Sequence, residues 1–110
     1  MPSASDELFR VLADPTRRRI LDLLADRDTL TVGQIAAEFP DLVASGISKH
    51  LMGLRRAGLV TATRLGRQRL YRIDADAFSE ALAPWLARYE PYWTAALTRL
   101  RELAQSGPNP

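Results

Sequence analysis

Ser45-Gly46-Ile47-Ser48-Lys49-His50-Leu51-Met52-Gly53-Leu54-Arg55-Arg56 is the stretch on which the reading of this chain turns. Ile47, Leu51 and Leu54 recur at i, i+4 and i+7, the apolar stripe of a single helix face. Gly58 follows where a helix C-terminus favours a residue able to take positive φ. Opposite the stripe lie Ser45, Ser48, Lys49, Met52 and Arg56. Small hydroxyls at the leading end allow close approach, and Lys49 supplies charge. A helix of this kind fits the B-DNA major groove, where its N-terminal side chains meet base edges and phosphates.

The residues before this helix predict a partner for it. Thr31-Val32-Gly33-Gln34 matches a capping box, and Ile35, Ala36 and Phe39 form an inner face that Pro40 ends. Residues 40–44 are then the turn of a helix-turn-helix. Further upstream, residues 6–13 carry Leu8, Phe9 and Leu12 on one side of a short amphipathic helix. Asp14-Pro15 restarts the chain with an N-cap and a proline at the first helical position. That second helix runs to about Ala25, burying Ile20, Leu21, Leu23 and Leu24, and residues 26–30 read as a polar loop.

After Gly58 the period changes. Residues 59–64 and 69–73 are β-branched or aromatic segments with partial alternation, joined through Leu65-Gly66-Arg67-Gln68. They predict a β-hairpin with an arginine-rich tip, placing Arg64, Arg67, Gln68, Arg69 and Arg72 on or near a projecting wing. Asp74-Ala75-Asp76 offers another N-cap. Beyond it Leu82, Leu86, Tyr89, Trp93, Leu97, Leu100 and Leu103 or Ala104 repeat at spacings of three or four. Pro84 is expected to divide a short helix from a long one, and Pro91 to kink or split the long one. The fold class is mainly α with a β-hairpin wing (α+β), a winged helix-turn-helix in the order αααα-ββ-α with a C-terminal helical appendage. One domain covers residues 1–110, with a DNA-binding core over 6–74, C-terminal helices over 75–105 and a disordered tail over 106–110.

Charge distribution supports a polyanionic partner. Residues 49–72 hold seven basic side chains and no acidic one, whereas the rest of the chain carries eight basic and thirteen acidic groups. Solvated faces generally mix both signs, so an acid-free block points to nucleic acid. The chain has no cysteine and one histidine, His50, which excludes disulfides, thiolate metal sites and cysteine nucleophiles. The carboxylates Asp74, Asp76, Glu80 and Glu90 lack the imidazole or thiolate that a transition-metal site needs, so no metal and no cofactor is expected. A single histidine with no partners gives no hydrolytic triad, and there is no phosphate-binding glycine loop, so an enzyme is not expected. No apolar run approaches the roughly 20 residues of a membrane span and residues 1–5 do not read as a signal peptide, which predicts a cytoplasmic protein without membrane contact.

Phe9-Arg10-Val11-Leu12-Ala13-Asp14-Pro15-Thr16-Arg17-Arg18-Arg19-Ile20-Leu21 resembles the opening signature of the ArsR family of bacterial repressors. Ile47-Ser48-Lys49-His50-Leu51, then Leu54-Arg55-Arg56-Ala57-Gly58-Leu59-Val60, resembles that family's recognition helix and its exit, and Gly66-Arg67-Gln68-Arg69-Leu70-Tyr71-Arg72 resembles its wing. The likeness spans residues 7–74; the C-terminal segment is similar to a cysteine-poor, non-metal subset. Ser45-Gly46 departs from the Pro-Ala common there, in a turn one residue longer.

The resemblance implies a homodimeric repressor on an imperfect palindrome of double-stranded DNA. It implies DNA contacts from Ser45, Ser48, Lys49, His50, Met52, Arg55, Arg56, Arg64, Arg67, Gln68 and Arg69. It implies a dimer surface from Leu8, Phe9, Leu12, Trp85, Tyr89, Trp93, Leu97 and Leu100, and relief by an unidentified small-molecule effector. An aromatic stripe is usually plain core, but a winged helix already has one, so the exposed stripe calls for a second copy. The alternatives are a winged-helix protein-interaction module and a constitutive autorepressor with no effector.

Overall fold

Most of the helices begin where a side chain takes up free N–H groups, and the computed structural model, describing residues 3–106, shows how. α1 (Ala4–Leu12) opens with a capping box in which Ser3 and Asp6 exchange hydrogen bonds, each at 3.1 Å. α2 (Pro15–Arg27) starts at Asp14, whose carboxylate accepts from the N–H of Thr16 at 2.8 Å and of Arg17 at 3.1 Å. The predicted Thr31–Gln34 capping box is formed, with bonds of 2.8 and 3.1 Å, and starts α3 (Val32–Ala37). α4 (Ala44–Arg56) starts one residue earlier than expected, from Val43, with no side-chain cap, and past its C-cap Ala57 the chain turns away at Gly58, φ +79°.

The sheet differs from a plain hairpin. β2 (Val60–Leu65) and β3 (Gln68–Ile73) are antiparallel about the two-residue turn Gly66-Arg67, with Gly66 at φ +63°. A third strand, β1 (Leu30–Thr31), pairs with β3 through Leu30↔Tyr71 and Thr31↔Leu70, giving the order β1-β3-β2. The end of the expected polar loop is therefore a strand, and buried Leu30 helps close the core.

α2, α3, α4 and the sheet enclose one core in which Ile20, Ile35, Ile47, Leu54 and Leu59 are fully buried. Phe39 is buried although α3 ends two residues before it. Leu8 is 1% exposed, packed into this same core with Val11, which removes it from any surface offered to a second copy. Leu12 is partly buried against the core, and Phe9 stays exposed.

α5 (Ala75–Arg88) starts at Asp74, which caps Ala77 N–H at 3.0 Å, and lies along α1. Ser5 Oγ donates to the Ala81 carbonyl at 2.5 Å, and the rings of Phe9 and Trp85 meet edge-on at 5.1 Å. Contrary to the expected division, Pro84 sits inside α5. It removes one N–H that would bond the Glu80 carbonyl, but both residues are exposed, so water reaches the freed group. The break comes at Tyr89, and α6 (Glu90–Gln105) begins there with Pro91 in its first turn. Ser106 closes α6 by donating to the Glu102 carbonyl at 2.7 Å; the remainder of the expected tail, residues 107–110, lies outside the described residues.

Asp14 joins these elements electrostatically. Burial by itself would raise its carboxyl, yet the two backbone N–H bonds and the nearby His50 and Arg17 hold it below the usual carboxylate value. The folded state therefore gains stability that is present above the ordinary carboxylate range and lost as pH falls through the lowered value. Asp14→Ala is expected to cost about 1 kcal/mol near neutrality, typical of a lost N-cap. In thermal melts the gap to the wild type should narrow as the pH falls through the lowered carboxyl value.

Candidate nucleic-acid interface

The apolar stripe of α4 fixes which side chains face outward. With Ile47, Leu51 and Leu54 buried, Ser45, Ser48, Lys49, Met52, Arg55 and Arg56 are all exposed. His50 is not among them. It is half-buried on the flank facing α2, and its Nδ1 accepts from Arg17 Nε at 3.3 Å. The structure thus ties His50 to the scaffold rather than presenting it with the outward residues.

Strand register sorts the wing in the same way. Val60↔Ile73, Ala62↔Tyr71 and Arg64↔Arg69 are opposed pairs on one face, the face that carries buried Val60 and Tyr71. Arg64 and Arg69 extend this face beyond the core. Ser48, Met52, Arg55 and Arg56 of α4 share one groove with Arg69 and Tyr71. Thr31, Val32 and Gly33 share another with Arg64, Arg67, Gln68 and Arg69. Arg72, one residue on from Tyr71, falls on the opposite face beside Asp74 and Asp76. Six of the seven cations of the basic block therefore converge on α4 and the wing, and Arg72 does not.

None of these six cations is ion-paired among the described residues. Among the described residues, ion pairs are formed only by Arg10 with Glu7 (3.1 Å) and Arg27 with Glu38 (2.5 Å), away from this surface. Arg64 Nε does reach the Gly66 carbonyl at 3.3 Å, which holds it at the wing tip. A positively charged helix beside a positively charged wing, with a groove between, matches a duplex backbone on either side of a major groove. Among the described residues, no three His, Cys, Asp or Glu side chains gather as a metal site would require.

One contributor escaped the sequence reading. Arg17, at the start of α2, is drawn against α4 at His50 and Gly53. A glycine in mid-helix was the available signal, since it costs stability unless something needs the space.

Known proteins place this arrangement. The helix-turn-helix domain family matches residues 12–62. The HTH-type transcriptional regulator Rv0081 of Mycobacterium tuberculosis is 44% identical over 77 residues, 70% of this chain and 67% of that protein. The transcriptional repressor SdpR of Bacillus subtilis is 32% identical over 84 residues, 76% of this chain and 90% of that one. The crystal structure of an ArsR family transcriptional regulator superposes with a TM-score of 0.70 at 33% identity, covering 83% of this chain and 91% of that one. The chain belongs to the ArsR family of winged helix-turn-helix, DNA-binding transcriptional regulators.

Proposed function

We propose that this regulator is a homodimeric repressor that binds an imperfect palindrome, each protomer laying α4 in a major groove and its wing on the flanking backbone. The observation that carries the reading is the gathering of Arg55, Arg56, Arg64, Arg67 and Arg69 along two adjoining grooves, with exposed Lys49 on the same helix, and no carboxylate pairs with any of them among the described residues. Ser45, Ser48, Lys49 and Met52 are the residues that read base edges. Arg55, Arg56, Arg64, Arg67, Gln68 and Arg69 hold the phosphates that set register. Repression itself is carried by the kinship with SdpR, which is named a repressor.

The dimer reading rests on α6, no residue of which is buried within the chain. Phe9, Trp85, Tyr89, Trp93, Leu97 and Leu100 form its surface, together with the partly buried Leu12. Within that surface Trp85 already meets Phe9 edge-on and Tyr89 at a tilt, 5.0 Å between ring centres, while Trp93 Nε1 donates to the Leu86 carbonyl at 2.7 Å. Side chains so engaged favour a packing role over a pocket for an apolar effector. The protein acts in the cytoplasm, where its DNA lies.

The test is the salt dependence of duplex binding. Log affinity against log salt should fall with a slope of about −0.9 per neutralised phosphate, several units steep for the proposed surface. A flat dependence sinks the DNA-binding reading and would favour a protein-docking role for the same face.

A further inference from the structure

Gly53 lies on the flank of α4 that also carries Lys49 and Arg56, one turn to either side. It has no side chain, but the place where one would stand is filled from another helix. A β-carbon at Gly53 would stand 2.9 Å from Arg17 Cζ, 3.0 Å from Nη2 and 3.3 Å from Nη1, so the guanidinium of Arg17 lies directly against the backbone of α4. Its Nε is held by His50 Nδ1 at 3.3 Å. Among the described residues neither Nη has a hydrogen-bond partner and no carboxylate pairs with it; Asp14, the nearest acid in sequence, accepts from backbone N–H groups instead.

We propose that Arg17 is a DNA-backbone contact lent to the recognition helix by α2, with Gly53 as the notch that admits it and His50 as the residue that orients it. The inference rests on the DNA-binding reading above. Its chemistry is that of a guanidinium with one edge tethered and the Nη edge free, a geometry suited to two parallel bonds to a phosphate. Lys49, Arg17 and Arg56 then make one row of cations along α4, although only two of them belong to it.

The plainer role would be a tie between α2 and α4. In that case removing Arg17 lowers the melting temperature and leaves the count of contacted phosphates unchanged. The two roles separate in the full-length chain, titrated by anisotropy onto a labelled mixed-sequence duplex of about 30 bp, long enough for half-sites one helical turn apart. Arg17→Ala should make the salt slope shallower by about one unit. Gly53→Ala is the second variant. Alanine favours the helix and displaces only the end of a flexible side chain, so the fold should be kept while the slope shifts as in Arg17→Ala. The double variant should lose nothing further. Arg67→Ala, in the wing, is the reference for a phosphate contact made elsewhere. If it flattens the slope while Arg17→Ala keeps the wild-type value, the inference is overturned and DNA binding stands. If Gly53→Ala alone keeps the wild-type slope, the notch is overturned. If the wild type itself shows no salt dependence, the underlying DNA reading has failed and the inference with it.

Discussion

Leu97→Glu is expected to leave a folded monomer of 12.3 kDa that loses about 10²- to 10⁴-fold in affinity for a duplex carrying two half-sites. Leu97 is 54% exposed and Leu100 61%, and both sit on a helix that buries nothing within its own chain. A change at Leu97 therefore removes no core contact, and the fold should melt as before. Trp93, Leu97 and Leu100 follow i, i+4, i+7 spacing, so they form one seam along α6. In a two-fold interface the same residue enters from both sides, which places two carboxylates in an apolar seam where neither finds a partner. The affinity falls because linked half-sites gain from effective concentration, and a monomer has only one reading head. Thr98→Glu adds the same charge at the next position, away from the seam, and should sediment as the dimer. If Leu97→Glu also sediments as a dimer, the C-terminal interface is wrongly placed.

The elements that were legible in the sequence are those whose cause is local. Asp14-Pro15, Thr31 with Gln34, and Asp74 start helices because a side chain three residues or fewer away captures an N–H, and no tertiary information is needed. β1 has no such cause. Two residues show no alternation, and Leu30 becomes a strand only because Tyr71 of β3 lies beside it. Pro84 misled in the other direction. An interior proline costs one hydrogen bond and crowds the i−4 carbonyl, but here that carbonyl belongs to exposed Glu80, so water satisfies it and the helix runs on. Leu8 shares a helical face with Phe9 and Leu12, and periodicity cannot tell which of them meets the chain's own core.

The candidate site divides along the same line. The basic block was visible as a run of sequence, but its sorting depended on geometry. A period of two sends Arg69 toward α4 and Arg72 to the other face, a separation that strand register alone decides. Helical phase turns His50 inward although it stands next to Lys49. Arg17 joins the surface from a helix thirty-three residues away in the chain, which only the packing of α2 on α4 brings about.

Replacing Arg64 and Arg69 together by glutamine is expected to raise the melting temperature of the free protein by a few degrees while flattening the salt slope by about two units. The two side chains are directly opposed across β2 and β3, where β-carbons of facing residues stand about 5 Å apart and like charges repel. Neither has a carboxylate partner among the described residues. Both are exposed, so water screens the repulsion and its cost is small, about 0.2–1 kcal/mol. A phosphate between them reverses the sign, since each guanidinium then gains a charge-assisted bond and the pair is held apart by an anion. Binding to the native state alone stabilises it, so duplex DNA should raise the melting temperature of the wild type more than that of the variant. The two proteins should consequently exchange rank: the variant melts higher alone, the wild type higher with DNA. A pair kept for structural reasons would give the opposite first result, with the variant melting lower in the absence of DNA. A pair that never meets a phosphate would leave the slope unchanged. The rank exchange is what links the strain in the free wing to its use, because a cross-strand arginine pair without an acid nearby is unfavourable until the anion arrives.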